Sequence, residues 1–437
     1  MVREELIFAG CSDIAGKIRG KSFPARDLDM RLRRGIGWTP TNVQLTCFDT
    51  IADSPYGALG DVVLMPDPAT LVRAEFADDR PAESFMVGDI KRLDGSPWEC
   101  CTRSILGAAL ARLHAVSGLT LNSAFEQEFH FRDMTSPIGT AYSFGGFRAQ
   151  RVFAETLTAA MFDSGLTPDT FLKEYGVDQY EVTCGPRPGM LGADHALILR
   201  ELVRITGEHL DRPVSFTPLR AADGVGNGVH IHMSFLDADR RPATHDPDSE
   251  TGLSHTAGGF VAGILKYLPA IVAITAPSRI SYARLSPHRW SAPFNNLGLQ
   301  DREAGVRLCP VSEISDVAKA AQFNFEFRAA DAAASPYLQL AAIVHAGVQG
   351  IEDGLSTPAA TAEDLSLLSP EALGARGLRR LPASLKDALA LFADDPVVCG
   401  WFPDGFADIY VKHKHGELGY LADKAESEIY AAYEETY

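Results

Sequence analysis

Four short stretches of the 437-residue chain set acids and imidazoles on alternate positions. In SAFEQEFHF (123–131), Phe125, Phe129 and Phe131 fall on one side of a strand, and Glu126, Glu128 and His130 on the other, because alternate strand residues share a face. GVHIHMSF (228–235) sets His230, His232 and Ser234 against Val229, Ile231, Met233 and Phe235. FNFEFR (323–328) sets Asn324, Glu326 and Arg328 against Phe323, Phe325 and Phe327. In DQYEV (178–182), Glu181 lies between Tyr180 and Val182, with Glu174 seven residues earlier. Any one polar face reads most simply as the wet side of an antiparallel sheet. The set resists that reading, since Glu and His recur where Lys, Thr and Ser usually mix in. Like charges on one sheet face repel unless a cation sits among them. Carboxylates with an occasional imidazole suit a hard divalent ion such as Mg²⁺ or Mn²⁺. The H-x-H at 230–232 keeps zinc as second choice, but an oxygen-rich set without thiolate is not a structural zinc site.

These strands need a frame. Residues 1–100 read as short strands and turns, with VQLTCFD (43–49) and DVVLMPD (61–67) as strands between Gly, Pro and Asp clusters. From there the spacing predicts a helix capped by Thr102 and stopped at Gly118, and others over 148–163, 194–210, 255–275, 336–352 and 383–393. Asp194 and Ser335-Pro336 are start signals for two of them. The stretch 236–254 reads as a surface loop. Strands and helices not in strict alternation imply an α+β fold, with a boundary near residues 95–102. Gly224-Val225-Gly226-Asn227-Gly228 resembles part of a dinucleotide fingerprint, but a strand follows it instead of a helix. Its glycines instead allow close backbone approach to a ligand.

Forty basic against 57 acidic residues leave a net charge of −17, which disfavours nucleic acid as a partner. Seven scattered cysteines without a C-x-x-C pair fit a reducing cytoplasm. The N-terminus has no signal-peptide pattern. The most apolar segment, 260–276, carries Lys266 and Pro269 and falls short of the roughly 18–20 apolar residues of a membrane span.

From about residue 13 onward the chain resembles the glutamine synthetase family. Glu126-Gln127-Glu128 is similar to the family's E-x-E strand, and EYGVDQYE (174–181) to its E-x-x-x-x-Q-x-E element. GNGVHIHMS (226–234) resembles G-S-G-x-H-x-H-x-S, and SYARL (281–285) the element carrying a substrate-carboxylate arginine. DREAGVR (301–307) resembles N-R-x-x-x-x-R, and FEFRAADAAASPYL (325–338) resembles E-x-R-x-x-D-x-x-x-N-P-Y-L. FDT (48–50) and VVLMPDPATL (62–71) resemble the β-grasp segment, and Arg103 lies in a D-P-R-S-like position. DIAGKIRGK (13–21) resembles an N-terminal element of the γ-glutamylpolyamine synthetase branch. Six motifs in the family's order are far more specific than any one.

The resemblance implies an N-terminal β-grasp domain (1–100) and a C-terminal catalytic domain (101–437) with a curved antiparallel sheet flanked by helices. It implies that Glu128, Glu174 and Glu181 hold one divalent ion, and Glu126, His230 and Glu326 a second, two or three Mg²⁺ or Mn²⁺ in all. His232 and Ser234 would lie near ATP. Arg284 and Arg328, with Gly226, would bind the substrate carboxylate, while Arg302 and Arg307 neutralise the transferred phosphoryl group. It further implies a dodecamer of two hexameric rings, in which Asp49 reaches a neighbouring subunit's amine site as base. Phosphoryl transfer needs positioning and positive charge more than covalent help.

The amine end departs from the family. Where a true glutamine synthetase has P-G-Y-E-A-P, this chain has Pro287-His288-Arg289-Trp290-Ser291-Ala292-Pro293. The glutamate that attends ammonium is missing, and Trp290 would pack an alkyl or aromatic amine or a cation's stem. The family's asparagine before Gly226 is Val225, and Ala321 and Asn324 replace basic residues near the nucleotide. The expected activity is an ATP-dependent ligase joining glutamate to an amine other than ammonia through γ-glutamyl phosphate. The rivals are an ammonia-dependent glutamine synthetase, a catalytically inactive ring, and the same mechanism acting on another acid.

Overall fold

Alternating apolar positions in the first hundred residues pair as a six-stranded sheet in a computed structural model that describes residues 3–132, 138–314 and 317–437. The strands are β1 (Leu6–Ser12), β2 (Ile18–Pro24), β3 (Ile36–Trp38), β4 (Val62–Pro66), β5 (Val72–Ala74) and β6 (Glu83–Lys91). They run in the order β2-β1-β6-β4-β3 with β5 also beside β6, and only β1 and β6 are parallel. The expected strand over 43–49 is absent. Pro40–Gln44 is a 3-10 turn with Pro40 in its first turn, and Thr46–Thr50 closes into a tight loop instead.

The second sheet contains β7 (Thr120–Phe131), β8 (Pro168–Lys173), β9 (Gln179–Cys184), β10 (Arg187–Pro188), β11 (Val214–Ser215) and β12 (Val229–Leu236). It continues through β13 (Leu297–Leu299), β14 (Val306–Leu308), β15 (Phe325–Phe327) and β16 (Ala360–Thr361). Its order is β16-β13-β14-β15-β12-β7-β9-β8, with β10 and β11 also on β7. The pairs from β14 to β8 are antiparallel, whereas β13 is parallel to β14 and β16. The chain is therefore α+β, with helices packed on sheets. One side of the sheet buries Phe125, Phe129, Phe131, Ile231, Met233, Phe325 and Phe327, the apolar alternation seen in the sequence.

The buried helices His255–Thr275 and Pro336–Glu352 pack on each other, and Phe260 of the first meets Phe235 and Phe325 on that side. They approach so closely at Gly263 that a Cβ there would lie 2.1 Å from the Ala346 carbonyl oxygen. The first of them is long and apolar enough to cross a membrane by composition, but 94% of its apolar window is buried inside the fold. Arg103, in the helix Thr102–Ser117, ties the first sheet to the helix Met190–His209: its guanidinium reaches Asp67 (2.7 Å), Asp89 (3.0 Å) and Asp194 (2.9 Å).

Three local expectations need correction. Asp194 does not start its helix, which runs Met190–His209; its carboxylate is buried against Arg103 and the Tyr337 hydroxyl. Thr102 is the first residue of its helix rather than a side-chain cap, and its hydroxyl donates to the Ser12 carbonyl. The 236–254 loop is irregular, but buried Thr244 and Leu253 pin it, with Thr244 Oγ1 accepting from the Phe235 amide at 2.6 Å.

Candidate active site

Strand register brings the scattered polar residues together. His230 stands opposite Glu126 across β12 and β7, and Glu128 opposite Glu181 across β7 and β9. His232 stands opposite Glu326 across β12 and β15, and Glu326 opposite Arg307 across β15 and β14. Directly opposed residues share a face at about 4.5–5.5 Å between Cβ atoms. Five neighbouring strands thus line up Glu181, Glu128, Glu126, His230, His232, Glu326 and Arg307.

Contacts follow from that register. Glu126 accepts from His230 Nδ1 and His232 Nε2, each at 2.9 Å. His232 Nε2 also lies 3.0 Å from Glu326, and its Nδ1 meets Asn324 Oδ1 at 2.8 Å. Glu326, 1% exposed, takes Arg307 at 3.1 Å and Arg328. Gln179 Nε2 donates to Glu128 (3.1 Å), the Gly226 carbonyl (2.9 Å) and Asn227 Oδ1 (2.9 Å), and the Gly228 amide donates to Glu128 at 3.0 Å. Glu174 accepts from the Tyr142 hydroxyl at 2.5 Å and the Tyr175 amide at 3.1 Å.

The electrostatics divide these acids. Burial, then the neighbouring Glu174 charge, pushes the Glu128 carboxyl up to about 8. Burial, then Glu126, Glu128 and Glu174, pushes Glu181 up to about 9. For Glu126 and Glu326 burial opposes ionisation, but hydrogen bonds to the imidazoles, and for Glu326 the Arg328 charge, hold both below the usual range. Burial and Arg328 lower His230. For His232, burial is outweighed by Cys309, Glu126 and Glu326, so it rises well above its ordinary value. A neutral His230 donating from Nδ1 keeps a lone pair on Nε2, the usual posture of a metal-binding imidazole.

This donor set fits a divalent cation. Glu126, Glu181 and His230 have ligand atoms within 4.8 Å of one another, and buried carboxylates that repel each other are relieved by a positive charge. The trio takes members from both ion sets expected from sequence. Glu326 lies instead between two arginines, and Glu174 beside Tyr142. A second group, His232, Cys309 and Glu326, brings in a thiol unforeseen from sequence, with Cys309 Sγ 3.6 Å from His232 Nδ1.

The remaining candidates are placed unevenly. Arg284, at the end of the short helix Ser281–Arg284, is buried, donates to the Ala330 carbonyl at 2.7 Å and lies 3.9 Å from Asp331. Its Nε and Asp331 Oδ2 are buried without a hydrogen-bond partner. A Cβ at Gly226 would come within 2.6 Å of the Arg284 side chain. Gly226 thus permits close approach of the Arg284 side chain. Arg328 also donates to the carbonyls of Arg302 (2.9 Å) and Trp290 (3.2 Å). The Arg302 side chain is exposed. Ser234 and His232 line a cavity of about 330 Å³ together with Asn122, Glu126 and Asn324. A larger cavity of about 510 Å³, lined by Pro287, Phe294, Leu365 and Leu378, contains none of the candidate acids or histidines.

Trp290 is no core residue: it is 59% exposed with φ of 54°. Its loop is held by Glu303, whose two oxygens accept from the amides of Trp290 (2.9 Å) and His288 (3.1 Å). Asp49 is not among the clustered residues. Its carboxylate, 79% exposed, pairs with Arg19 at 3.1 Å, and Arg19 also holds Asp13 and the Thr46 carbonyl. His130 shares the polar face of β7 but turns to Asn227 and Glu434, away from the acids. Asn227, Tyr142, Glu303 and Asp331 were not singled out beforehand. Only Asp331 had a signal, as the acid of the E-x-R-x-x-D run.

Comparison with known proteins gives the family of the fold. Residues 99–433 match the family model "Glutamine synthetase, catalytic domain", and residues 3–98 match "Glutamine synthetase N-terminal domain". A γ-glutamylpolyamine synthetase of Streptomyces coelicolor is 31% identical over 432 residues, covering 96% of this chain and 91% of that protein. A type-1 glutamine synthetase of Dictyostelium discoideum is 27% identical, covering 95% and 86%. Among solved structures, a novel glutamine synthase homolog superposes with a TM-score of 0.91 at 37% identity, covering 100% of this chain and 99% of that one. The ADP complex of GmaS shares the fold, with a TM-score of 0.81 at 24% identity over 97% and 95% of the chains.

Proposed function

This chain belongs to the glutamine synthetase family, and from that premise we propose that it joins the γ-carboxylate of glutamate to an amine other than ammonia, at the expense of ATP. The observation that supports the reading is an acid–imidazole–arginine cluster on five neighbouring strands, in a chain that has Arg289 and Trp290 in the neighbourhood of the family's ammonium-attending glutamate. Similarity to both a γ-glutamylpolyamine synthetase and ordinary glutamine synthetases supports the ligase class, and the amine preference is proposed from the loop that carries Trp290.

In the first step a glutamate γ-carboxylate oxygen attacks the terminal phosphorus of ATP, and ADP leaves. Arg284 and Arg328 would grip the α-carboxylate, with Gly226 against it. Arg307 and Arg302 would stabilise charge on the transferred phosphoryl oxygens, and His232 and Ser234 would border the nucleotide. Divalent ions held by Glu126, Glu128, Glu174, Glu181, His230 and Glu326 would supply positive charge against the phosphates. In the second step the amine nitrogen attacks the acyl carbon, phosphate leaves, and nitrogen gives up a proton. Asp49 is the proposed base. Because its contacts in the chain are to Arg19, it would serve a neighbouring subunit's site, in keeping with a ring assembly and two domains divided near residue 100. The proposed setting is cytoplasmic.

An ADP-release assay with glutamate, Mg²⁺ and an amine panel tests this. Higher kcat/KM with an organic amine than with ammonia is expected; highest activity with ammonia would overturn it.

A further inference from the structure

A chain of side-chain hydrogen bonds runs from Glu128 to the C-terminal helix, Glu426–Thr436. Its centre is Asn227, buried between two glycines that both bear on Glu128. The Gly228 amide donates to Glu128, and the Gly226 carbonyl accepts from Gln179, the other donor to that carboxylate. Gly226 also lies against Arg284. The Asn227 side chain makes three contacts. Its Nδ2 donates to the Thr217 carbonyl at 2.8 Å and meets His130 Nδ1 at 3.0 Å, while its Oδ1 accepts from Gln179 Nε2 at 2.9 Å. The other ring nitrogen of His130, Nε2, lies 3.3 Å from a Glu434 carboxylate oxygen, which Arg220 also holds at 2.9 Å.

The direction of each bond follows from its partners. The Thr217 carbonyl can only accept, so the Asn227 nitrogen is the atom that faces it, and the same nitrogen faces His130. His130 Nδ1 must then be the bare nitrogen, and its single proton sits on Nε2, donated to Glu434. Gln179 is oriented likewise, because its oxygen accepts from the Gly176 amide at 2.9 Å. Its nitrogen has two hydrogens for three acceptors: Glu128, the Gly226 carbonyl and Asn227. Gln179 therefore cannot fix Glu128 alone, and the segment that delivers the Gly228 amide needs an anchor of its own.

We propose that Asn227 is a positioning residue for the ion-binding acid Glu128, and that His130 and Glu434 act through it, tying the C-terminal helix to the ion site. The proposal rests on the reading of Glu128 as a metal ligand and adds three residues outside the ligand set. Groups of this kind orient a ligand before the metal arrives, and members of one hydrogen-bonded network are energetically coupled. The alternative is that these polar groups only satisfy one another in the interior, as buried polar groups generally do. Their removal would then lower stability and leave ion affinity unmoved.

Calorimetric titration of the intact enzyme with Mn²⁺ separates the two. Asn227→Ala should weaken binding about tenfold, the lower end of the loss expected when a ligand's support is removed. Among the described residues the Glu434 carboxylate meets His130 and Arg220 and no ion ligand. Glu434→Ala should nonetheless weaken binding at least about twofold, the smallest coupling expected within one network. The double variant should bind no more weakly than Asn227→Ala, which already breaks the path. Circular dichroism gives the folded fraction, and Glu434→Ala decides the matter if Asn227→Ala does not fold. If the wild type binds Mn²⁺ and either single variant binds it equally well, or if the two losses multiply in the double variant, this inference falls while the ligase reading stands. If the wild type takes up no Mn²⁺, the reading of Glu128 as a ligand falls first.

Discussion

Metal uptake should expel protons. Glu128 and Glu181 are held at about 8 and about 9, so at pH 7 both are mostly protonated, and an ion that needs both as carboxylates must displace nearly two protons. Treated as independent, these two values predict apparent Mn²⁺ affinity rising about 90-fold from pH 6 to 7, about 50-fold from pH 7 to 8 and about tenfold from pH 8 to 9. The assay is calorimetric titration with Mn²⁺ in two buffers of different ionisation enthalpy, which counts protons directly. Glu181→Gln, neutral at every pH, should release about one proton fewer and flatten the profile. The same shifts fix a stability trend. A carboxyl raised on folding stabilises fully below its unfolded value near 4.5, and this contribution is lost as pH rises through about 9. Metal-free wild type should therefore lose stability relative to Glu181→Gln between those limits, and Mn²⁺ should reverse the order. Release of less than one proton, or an affinity unchanged between pH 6 and 7, would refute the reasoning.

Glu128→Ala should abolish ADP release with every amine while leaving the fold intact by circular dichroism; substantial turnover would remove Glu128 from the metal set. Gln179→Ala frees Glu128 and the Gly226 carbonyl from a shared donor and should weaken Mn²⁺ binding about 10–100-fold, as loss of a ligand's supporting hydrogen bond does; titration calorimetry checks it. Arg103→Ala leaves Asp67, Asp89 and Asp194 without their shared cation. It should cost about 3–5 kcal/mol in denaturant unfolding, the loss expected when one partner of a buried ion pair is removed.

The sequence was most legible where periodicity and burial coincide. β7, β12 and the helix His255–Thr275 lie where alternation or continuous apolarity placed them, because packing then obeys the local pattern. It failed where a distant partner overrode local chemistry. Asp194 has a capping side chain, yet Arg103, 91 residues away, takes it. VQLTCFD has strand composition, yet Pro40 and the Thr46–Thr50 turn claim it. Within the site, residue types were readable, but which atoms meet was not. Strand register sets Glu326 opposite both His232 and Arg307, and the first of these pairings joins residues almost 100 apart in the chain. The roles of Tyr142 and Glu303 rest on loop conformation, which has no period to read.

The backbone of the segment from His288 to Trp290 is held at three points: Glu303 grips two amides and Arg328 one carbonyl. These three hydrogen bonds do not involve the side chain of residue 290, although its φ of 54° disfavours β-branched residues there. Residue 290 can therefore vary during evolution, or in a saturation library, without dismantling the catalytic half that activates the acid. Under the proposed reading, the choice of amine could then be altered at a single codon without touching the residues proposed to activate the acid.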